Sequence, residues 1–293
     1  MKPPPFTYHR PETTEEAVAL LAELGEEAKP LAGGQSLIPL LALRLTAFDH
    51  LIDVGRIPEL AGVALDVGGE TVRVGAATRQ ATVQRSHVVR TALPLLARAT
   101  VHIGHRQIRN RGTFGGAVAH ADPAGESPTA ALTLDAVIEA RSPRGTRTIP
   151  TADFFTGTWS TVLEPDELLT AVELPVWSGR SGFAVREFAR RSGDFAIAGA
   201  MVGVELDPDD RVRRCRIGLF GLGRQPERGF GAEESATGTA VADIDPDELG
   251  TAVTDALDGI RGDLHGSVRY RRRIGAVMMS RAWSAAVEEA LHD

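Results

Sequence analysis

Several residue types on which common functional sites depend are scarce in this chain. Among its 293 residues, Cys215 is the only cysteine, and Lys2 and Lys29 are the only lysines. One cysteine can neither form an intrachain disulfide nor ligate an iron–sulfur cluster or a cysteine-rich zinc site, so any such cluster must belong to another chain. The shortage of lysine argues against a Schiff-base site and against a phosphate-loop lysine.

The chain also lacks long runs of basic residues and long runs of apolar residues. Its formal net charge is -7 and no block of lysine or arginine forms a tail, so it has no broad positive field to attract nucleic acid. Its first residues lack the apolar segment of a secretory signal, and no later stretch approaches about 18 uninterrupted apolar residues. We therefore expect a cytoplasmic protein with no transmembrane segment and no nucleic-acid partner.

The apolar content, 43% of the residues, is enough for two domains or one large one. Short helices, short strands and a hairpin alternate as far as the glycine- and serine-rich stretch 178–182, where we place a domain boundary. Within this part, a capping box of Thr13 and Glu16 begins the first helix. The stretch 102–116 has no clear period, and we predict an ordered loop there.

The part of the chain beyond the boundary predicts an antiparallel sheet backed by helices. Its apolar patterns indicate strands at 183–189, 196–206 and 212–222, and helices at 247–260 and 267–291. Four arginines at 269 and 271–273 begin the last helix. We interpret them as a solvated or partner-facing surface rather than a phosphate site. The fold class is α+β, with domains at 1–177 and 183–293.

Two pairs of glycines, each beside a hydroxyl, are the clearest candidates for a ligand site. They lie in Gly33–Ser36, between a short strand and a helix, and in Thr113–Gly116. Paired glycines let backbone amides approach a phosphate closely, although a random glycine pair is an ordinary turn at odds of about two to one. Neither loop has the Walker lysine or the spaced glycines of a Rossmann fingerprint, which disfavours a phosphate-loop NTPase and a dinucleotide-binding βαβ unit.

Four motifs in order give the chain a resemblance to a known family. They are AGGQSLIP at 32–39, RNRGTFGG at 109–116 with AHADP at 119–123, RRSGDFA at 190–196 and SVRYRR at 267–272. The chain resembles, over nearly its whole length, the FAD-binding medium subunit of carbon monoxide dehydrogenase and other molybdenum hydroxylases, whose flavin domain also occurs in xanthine dehydrogenase.

The resemblance implies both a fold and a set of cofactor-binding residues. The fold would be a two-subdomain FAD-binding domain of the vanillyl-alcohol-oxidase/PCMH type, with subdomains at about 1–56 and 57–177, followed by a smaller α+β domain with an antiparallel sheet and helices. The residues around the FAD pyrophosphate would be those of the two loops and a pair ahead of the second: Ala32, Gly33, Gly34, Gln35, Ser36, Leu37, Ile103, Gly104, Thr113, Phe114, Gly115, Gly116 and Ala117.

Further positions follow from the same resemblance. Glu126 stands where some relatives have an aspartate that contacts the flavin's polyol chain, and Leu169 would press on the isoalloxazine region. Phe195 stands beside the ring where carbon monoxide dehydrogenase has tyrosine, so it can pack but not hydrogen-bond. Arg186 would supply a cation expected upstream. The last two positions are His120 and Asp122, which follow the second loop.

The histidines do not indicate a metal site, because no pair has the i,i+4 helical spacing of a zinc site. His120 lies inside the second glycine motif. It could donate a hydrogen bond to a cofactor oxygen or have a structural role, and the two interpretations have about equal weight.

The function implied by the resemblance is electron transfer within a complex. A molybdopterin large subunit would oxidise a small molecule, and electrons would pass through the 2Fe–2S clusters of a small subunit to FAD on this chain and then to a small-molecule acceptor. The assembly would be a dimer of heterotrimers, and no residue of this chain need be catalytic. Two alternatives stay open: a stand-alone FAD-dependent oxidase, which predicts turnover by the isolated chain, and a non-catalytic scaffold, which predicts a colourless protein.

Overall fold

The chain begins with a small parallel sheet. The computed structural model describes residues 2–292. Its first strands are β1 (Thr7–His9), β2 (Ala28–Leu31) and β3 (His50–Asp53), with β3 in the middle and both pairs parallel. Helices α1 (Thr14–Leu24) and α2 (Leu37–Ala42) connect them.

The predicted capping box begins α1, with one difference in its second bond. The Thr13 hydroxyl accepts the Glu16 backbone N–H, as predicted. The Glu16 carboxylate accepts the backbone N–H of Glu12, at 2.7 Å, instead of that of Thr13. Both interactions satisfy N–H groups at the helix start, which otherwise have no partner within the helix.

A five-stranded antiparallel sheet follows and forms the larger part of the first half. Its strand order is β4-β5-β10-β6-β7, and every neighbouring pair is antiparallel. The strands are β4 (Val63–Leu65), β5 (Thr71–Gly75), β6 (Val137–Ser142), β7 (Gly145–Pro150) and β10 (Leu168–Pro175), and a separate short hairpin consists of β8 (Phe155–Gly157) and β9 (Ser160–Thr161). The predicted hairpin at 63–76 is the β4-β5 pair.

The connection from β5 to β6 is helical throughout. Its helices are α3 (Gln80–Arg85), α4 (His87–Ala92), α5 (Pro94–His102), α6 (Arg106–Arg111), α7 (Phe114–His120) and α8 (Glu126–Thr133). The prediction of an ordered loop at 102–116 is therefore wrong, because this stretch contains α6 and the start of α7. No residue of α6 is buried, so this helix has no apolar stripe and gives no periodic signal in the sequence.

The second half is a four-stranded antiparallel sheet covered by helices on both faces. Its elements are β11 (Ser181–Phe188), β12 (Ala198–Leu206), β13 (Val212–Phe220), β14 (Glu227–Arg228), α9 (Phe230–Ala236), α10 (Pro246–Asp255) and α11 (Val268–His292). All nine residues of the central strand β12 are buried. The three predicted strands and two predicted helices are present, and the α+β fold class is confirmed.

Helix α11 lies directly against β11. A Cβ built on Gly182 would be 1.9 Å from the backbone oxygen of Ala286, so the strand and the helix touch through their backbones. Although α11 has 25 residues, no helix in residues 2–292 is apolar enough over a sufficient length to cross a membrane.

Arg271 at the start of α11 is buried, so the interpretation of the arginine run as a solvated or partner-facing surface is wrong for this residue, while Arg269 and Arg273 are exposed. Its Nη1 donates to the backbone oxygens of Ile197 (2.7 Å) and Gly221 (2.5 Å), and its Nη2 pairs with the Asp263 carboxylate at 2.5 Å. Arg271 thus joins the last helix to the two turns that flank β12 and β13.

Replacing Arg271 with methionine should lower the free energy of unfolding by about 2 to 4 kcal/mol, because two buried carbonyl oxygens and a carboxylate lose their donor. Urea unfolding of the purified chain measures this. The matched control is Arg273→Met, for which we expect a change below about 0.5 kcal/mol at this exposed position. Equal unfolding midpoints for the two variants would contradict the structural role of Arg271.

Candidate functional site

The two glycine loops are in direct contact. A Cβ built on Gly33 would lie 2.4 Å from the backbone oxygen of Arg111 and 2.6 Å from the Cα of Gly112. A Cβ on Gly116 would lie 2.5 Å from the Thr113 hydroxyl and 3.2 Å from the Cβ of Ala32. No side chain fits at Gly33, so the residues after β2 meet the end of α6 as bare backbone, and the absence of a side chain at Gly116 makes room for Thr113 and Ala32.

The first loop presents a row of free backbone donors. Within residues 2–292, the N–H groups of Gly33, Gly34, Gln35 and Ser36 have no hydrogen-bond acceptor in the protein. Gly34 turns the chain with φ at +71°, and the Gln35 side-chain amide donates to the Gly33 carbonyl at 3.0 Å. Successive unpaired N–H groups form a concave anion-binding surface, and the loop has that form.

The second loop, in contrast, uses its amides within the protein. The N–H groups of Phe114, Gly115, Gly116 and Ala117 donate respectively to Thr78 O, Ala76 O, Thr113 Oγ1 and Thr113 O, at 2.9 to 3.1 Å. The Thr113 hydroxyl accepts one of these bonds and keeps its own hydrogen for a ligand. The second loop therefore supports the first, and its Thr113 side chain is the polar group it can direct at a bound anion.

Two arginines near the loops donate hydrogen bonds to backbone carbonyls of the protein. Arg79 donates from Nη1 to the Arg111 carbonyl and from Nη2 to the Gly55 carbonyl, the latter at 3.1 Å. Arg109, inside the second motif, donates from Nη1 to the carbonyls of Ile103 (2.8 Å) and Gly104 (3.0 Å). The backbone of the predicted pair Ile103 and Gly104 is thus fixed by an arginine of the motif itself.

The third motif, at 190–196, meets the same region. A Cβ on Gly193, whose φ is +86°, would lie 2.8 Å from the His105 ring and 3.1 Å from the Gly104 carbonyl carbon. Phe195, two residues later, is 67% exposed. The second half of the chain therefore brings the Gly193 turn onto Gly104 and His105, and the aromatic ring two residues later is uncovered.

His120 and Asp122 are held by a tryptophan that the sequence analysis did not include. The Trp159 indole N–H donates to Asp122 Oδ2 at 3.1 Å, and the indole stacks on the His120 ring with centroids 5.9 Å apart and planes 16° apart. Burial lowers the pKa of His120, so its imidazole is neutral at pH 7. Trp159 lies in the β8-β9 turn, and no pattern in the sequence connects it with the glycine motif.

Glu126 is buried and forms a cluster with Glu187 and His102, which are partly exposed. Burial raises the pKa of Glu126 to about 8, and the neighbouring Glu187 and Asp122 carboxylates act in the same direction. His102 Nδ1 lies 3.1 Å from Glu187 Oε1, and the hydrogen bond to Glu187 raises the pKa of His102. The cluster joins α5 and α8 of the first half to β11 of the second, and sequence spacing gives no signal for such a long-range meeting.

Leu169 and Arg186 are placed differently from the other predicted residues. Leu169 lies in β10, 4% exposed, within the apolar core that also contains Phe114. Arg186 is exposed, and its guanidinium donates to the Val185 carbonyl at 2.9 Å. Because side chains alternate along a strand, Arg186 and Glu187 point to opposite faces of β11. The structure brings Glu187 to Glu126, and the cofactor role of Arg186 stays a prediction.

Comparison with protein families divides the chain into two matched regions. Residues 4–177 match the family model described as the FAD binding domain in molybdopterin dehydrogenase. Residues 183–286 match the CO dehydrogenase flavoprotein C-terminal domain. The first of these regions contains both glycine loops, and the second contains β11 and most of α11.

Known proteins align with the chain from end to end. The 6-hydroxypseudooxynicotine dehydrogenase complex subunit alpha of Paenarthrobacter nicotinovorans is 38% identical, over 99% of this chain and 97% of that protein. The carbon monoxide dehydrogenase medium chain of Hydrogenophaga pseudoflava is 38% identical, over 98% of each. The solved structure of carbon monoxide dehydrogenase from the same organism, lacking the Mo-pyranopterin moiety of its cofactor, superposes with a TM-score of 0.93 over 99% of both chains at 38% identity.

The contact between the loops yields a test at Gly33. In Gly33→Ala the added methyl group would meet backbone at 2.4 Å, which must separate the loops. We expect at least about a tenfold loss of FAD affinity, because two of the aligned donors would be displaced, with secondary structure kept. Flavin absorbance per chain and titration with FAD measure this.

Gly68→Ala is the matched control for that substitution. It lies in the β4-β5 turn, where the nearest atom to an added Cβ is 3.6 Å away. Its flavin content should equal that of the wild type. If the Gly33 variant also kept the flavin content of the wild type, the first loop would not be part of the FAD site.

Glu126 gives a pH-dependent prediction whose sign is fixed by its raised pKa. The folded chain holds this proton up to about pH 8, whereas an unfolded glutamate releases it near about pH 4.3. The bound proton therefore stabilises the fold fully below the pKa of the unfolded chain. This stabilisation is lost as the pH rises through the pKa of the folded chain. Relative to Glu126→Gln, wild type should lose roughly 1 kcal/mol per pH unit within this window.

Urea unfolding of the cofactor-free proteins at pH 5 and pH 8 checks the difference between the two chains. Glu234→Gln, at an exposed position of α9, is the control and should shift equally at both pH values. A difference between wild type and Glu126→Gln that does not change with pH would mean that the Glu126 carboxyl is ionised throughout.

Proposed function

Because the chain belongs to the FAD-binding family of molybdopterin dehydrogenases, we propose that it is the electron-transfer subunit of a molybdenum hydroxylase complex. In that role it takes electrons from 2Fe–2S clusters of a partner subunit and passes them to an external small-molecule acceptor. The family model covers residues 4–177, and the relatives named above are subunits or chains of dehydrogenases. The chain is therefore an FAD-dependent oxidoreductase subunit, and the proposal concerns its place in the electron path.

The observation that carries the proposal is the row of unpaired N–H groups from Gly33 to Ser36, set against the second loop. A pyrophosphate has several anionic oxygens, and consecutive backbone donors in a glycine turn match them. The approach of Gly33 to Arg111 and Gly112 also keeps side chains out of the place where a ligand would contact the backbone. The residues present thus fit the dinucleotide that the family binds.

Each remaining residue of the site would bind or orient the cofactor. Bound FAD would store two electrons and could accept or release them one at a time. Thr113 can donate its hydroxyl hydrogen to a phosphate oxygen, and Glu126, neutral below its pKa of about 8, can donate a hydrogen bond to a hydroxyl group. Phe195 offers an apolar surface that can shield one face of a ring.

The cysteine content of the chain supports iron–sulfur clusters on a separate subunit. Cys215 is the only cysteine, and burial raises the pKa of its thiol to about 12, so it is protonated and unreactive at neutral pH. We accordingly propose a small iron–sulfur subunit and a large molybdopterin subunit as partners, in a dimer of heterotrimers in the cytoplasm. The two relatives named for different substrates are both 38% identical to this chain, so we extend the proposal to the class of complex and not to a substrate.

The proposal predicts a yellow protein that accepts electrons from a reduced partner. The purified chain should show flavin absorption, and heat or acid should release FAD. After anaerobic mixing with a reduced iron–sulfur subunit of the same complex, the flavin absorption should bleach within seconds and return when an acceptor is added. The variant Gly33→Ala, which should hold little FAD, is the control for signals that do not come from the bound flavin.

Two other results would replace this function with a rival. Sustained oxidation of a small molecule by the isolated yellow chain would favour a stand-alone oxidase. A colourless chain that also fails to bind added FAD would favour a scaffold whose glycine loops serve only as packing turns.

A further inference from the structure

A long segment of this acidic chain contains no acidic residue. Between Glu70 and Asp122 the sequence has eight arginines and four histidines but neither aspartate nor glutamate, although the formal net charge of the whole chain is -7. The segment comprises β5 and helices α3 to α7. Positive charge is therefore concentrated in one structural region.

Several of these arginines are neutralised or bonded by the rest of the protein. Arg73 pairs with Glu139 and Arg98 with Glu289, while Arg79 and Arg109 donate to backbone carbonyls. In contrast, the guanidinium groups of Arg85, Arg90, Arg106 and Arg111 have no ion pair and no hydrogen bond with any residue in 2–292. Their charges are left for solvent or for a ligand.

Three of these four arginines, Arg85, Arg90 and Arg106, line one cleft between α3, α4 and α6. This arginine cleft has a volume of about 370 Å³ and is lined by Gln84, Arg85, Arg90, Arg106, Arg109, Asn110 and one alanine. The Arg109 guanidinium is fixed through Nη1 and Nε, and its Nη2 has no partner among the described residues. The side-chain NH₂ groups of Gln84 and Asn110 likewise have no acceptor in that part of the chain, and Gln84 Oε1 already accepts the Arg109 Nε–H. All the charge in the lining is therefore positive, and most of its free polar groups are donors.

We propose that the arginine cleft binds a phosphate-bearing small molecule, of the pyrophosphate or nucleotide class, at a site separate from the glycine loops. Guanidinium groups stay charged at all physiological pH values, and their forked N–H groups match phosphate oxygens. Gathering like charges around one concavity is unfavourable until an anion occupies it. No carboxylate lines the cleft, so nothing in it would bind a metal cation or repel an anion.

The shape of the cleft favours a compact anion over a protein surface. Its donors line a concavity of about 370 Å³, sufficient for a few phosphate groups, whereas the carboxylates of a protein face are spread over a flatter area. No residue of Gly33–Ser36 or Thr113–Gly116 lines the cleft. The one link to the predicted FAD site is Arg109, which reaches it through the backbone oxygens of Ile103 and Gly104, so a ligand in the cleft would not occupy the place of FAD.

The test is calorimetric titration of the FAD-loaded full chain with inorganic pyrophosphate at low salt. FAD fills the glycine loops, and its absorbance reports any displacement. We expect saturable binding of one pyrophosphate per chain, weakened at least about tenfold in Arg85→Gln/Arg106→Gln, since two charge-assisted contacts are lost. The control is Arg273→Gln/Arg281→Gln, which removes the same charge from exposed positions on α11 and should leave the affinity unchanged.

Three results would overturn the proposal: no saturable binding, equal weakening in both double variants, or binding only with release of FAD. Loss of complex assembly in Arg85→Gln/Arg106→Gln without pyrophosphate binding would assign the cleft to a protein partner instead. If the chain proved colourless, the proposed function would fail. The difference between the two double variants would still test the cleft.

Discussion

The structure depends on a junction where backbone meets backbone without intervening side chains. Gly33 touches Arg111 and Gly112, Gly55 touches the Ala32 carbonyl, and Gly115 touches Ala76, each at a distance that a Cβ would make impossible. The Gly33 contact joins the end of the small parallel sheet to the end of α6, the Gly55 contact closes that sheet's own edge, and the Gly115 contact seats α7 on the end of β5. The first loop lies against the second only because no side chain stands between Gly33 and residues 111–112, so the geometry of the site is set by the absence of side chains.

The sequence predicts elements with a clear apolar period and misses those without one. The strands and long helices of the second half, the β4-β5 hairpin and α1 all follow from period and capping, and all are present. Helix α6 has no buried face, so nothing in its composition distinguishes it from a loop. On β11 both faces are covered, by α11 on one side and by α5 and α8 on the other. Alternation alone therefore could not decide whether Arg186 or Glu187 turns toward Glu126.

Three arginines of this chain are used to bind backbone carbonyl oxygens that have no other partner nearby. Arg79, Arg109 and Arg271 each donate to two or more backbone oxygens, a task that suits a planar fork better than the point charge of a lysine. This explains why motif arginines serve as internal supports although they resemble ligand-binding residues. A sequence shows the charge but not the unpaired carbonyls, which arise where distant turns converge, and the burial of Arg271 could not be predicted for that reason.

Two features limit the negative charge near the glycine loops. The segment that supplies the second loop has no acidic residue over its whole length, so arginines alone set its potential. The first carboxyl that follows the loop at a buried position, Glu126, is neutral at pH 7 because burial and the adjacent Glu187 disfavour its ionisation. Glu187 is hydrogen-bonded to His102, and this contact raises the pKa of the imidazole. One of the two neighbouring carboxyls, Glu126, is thus uncharged at pH 7. An anionic cofactor beside this cluster would meet one negative charge fewer than the sequence suggests.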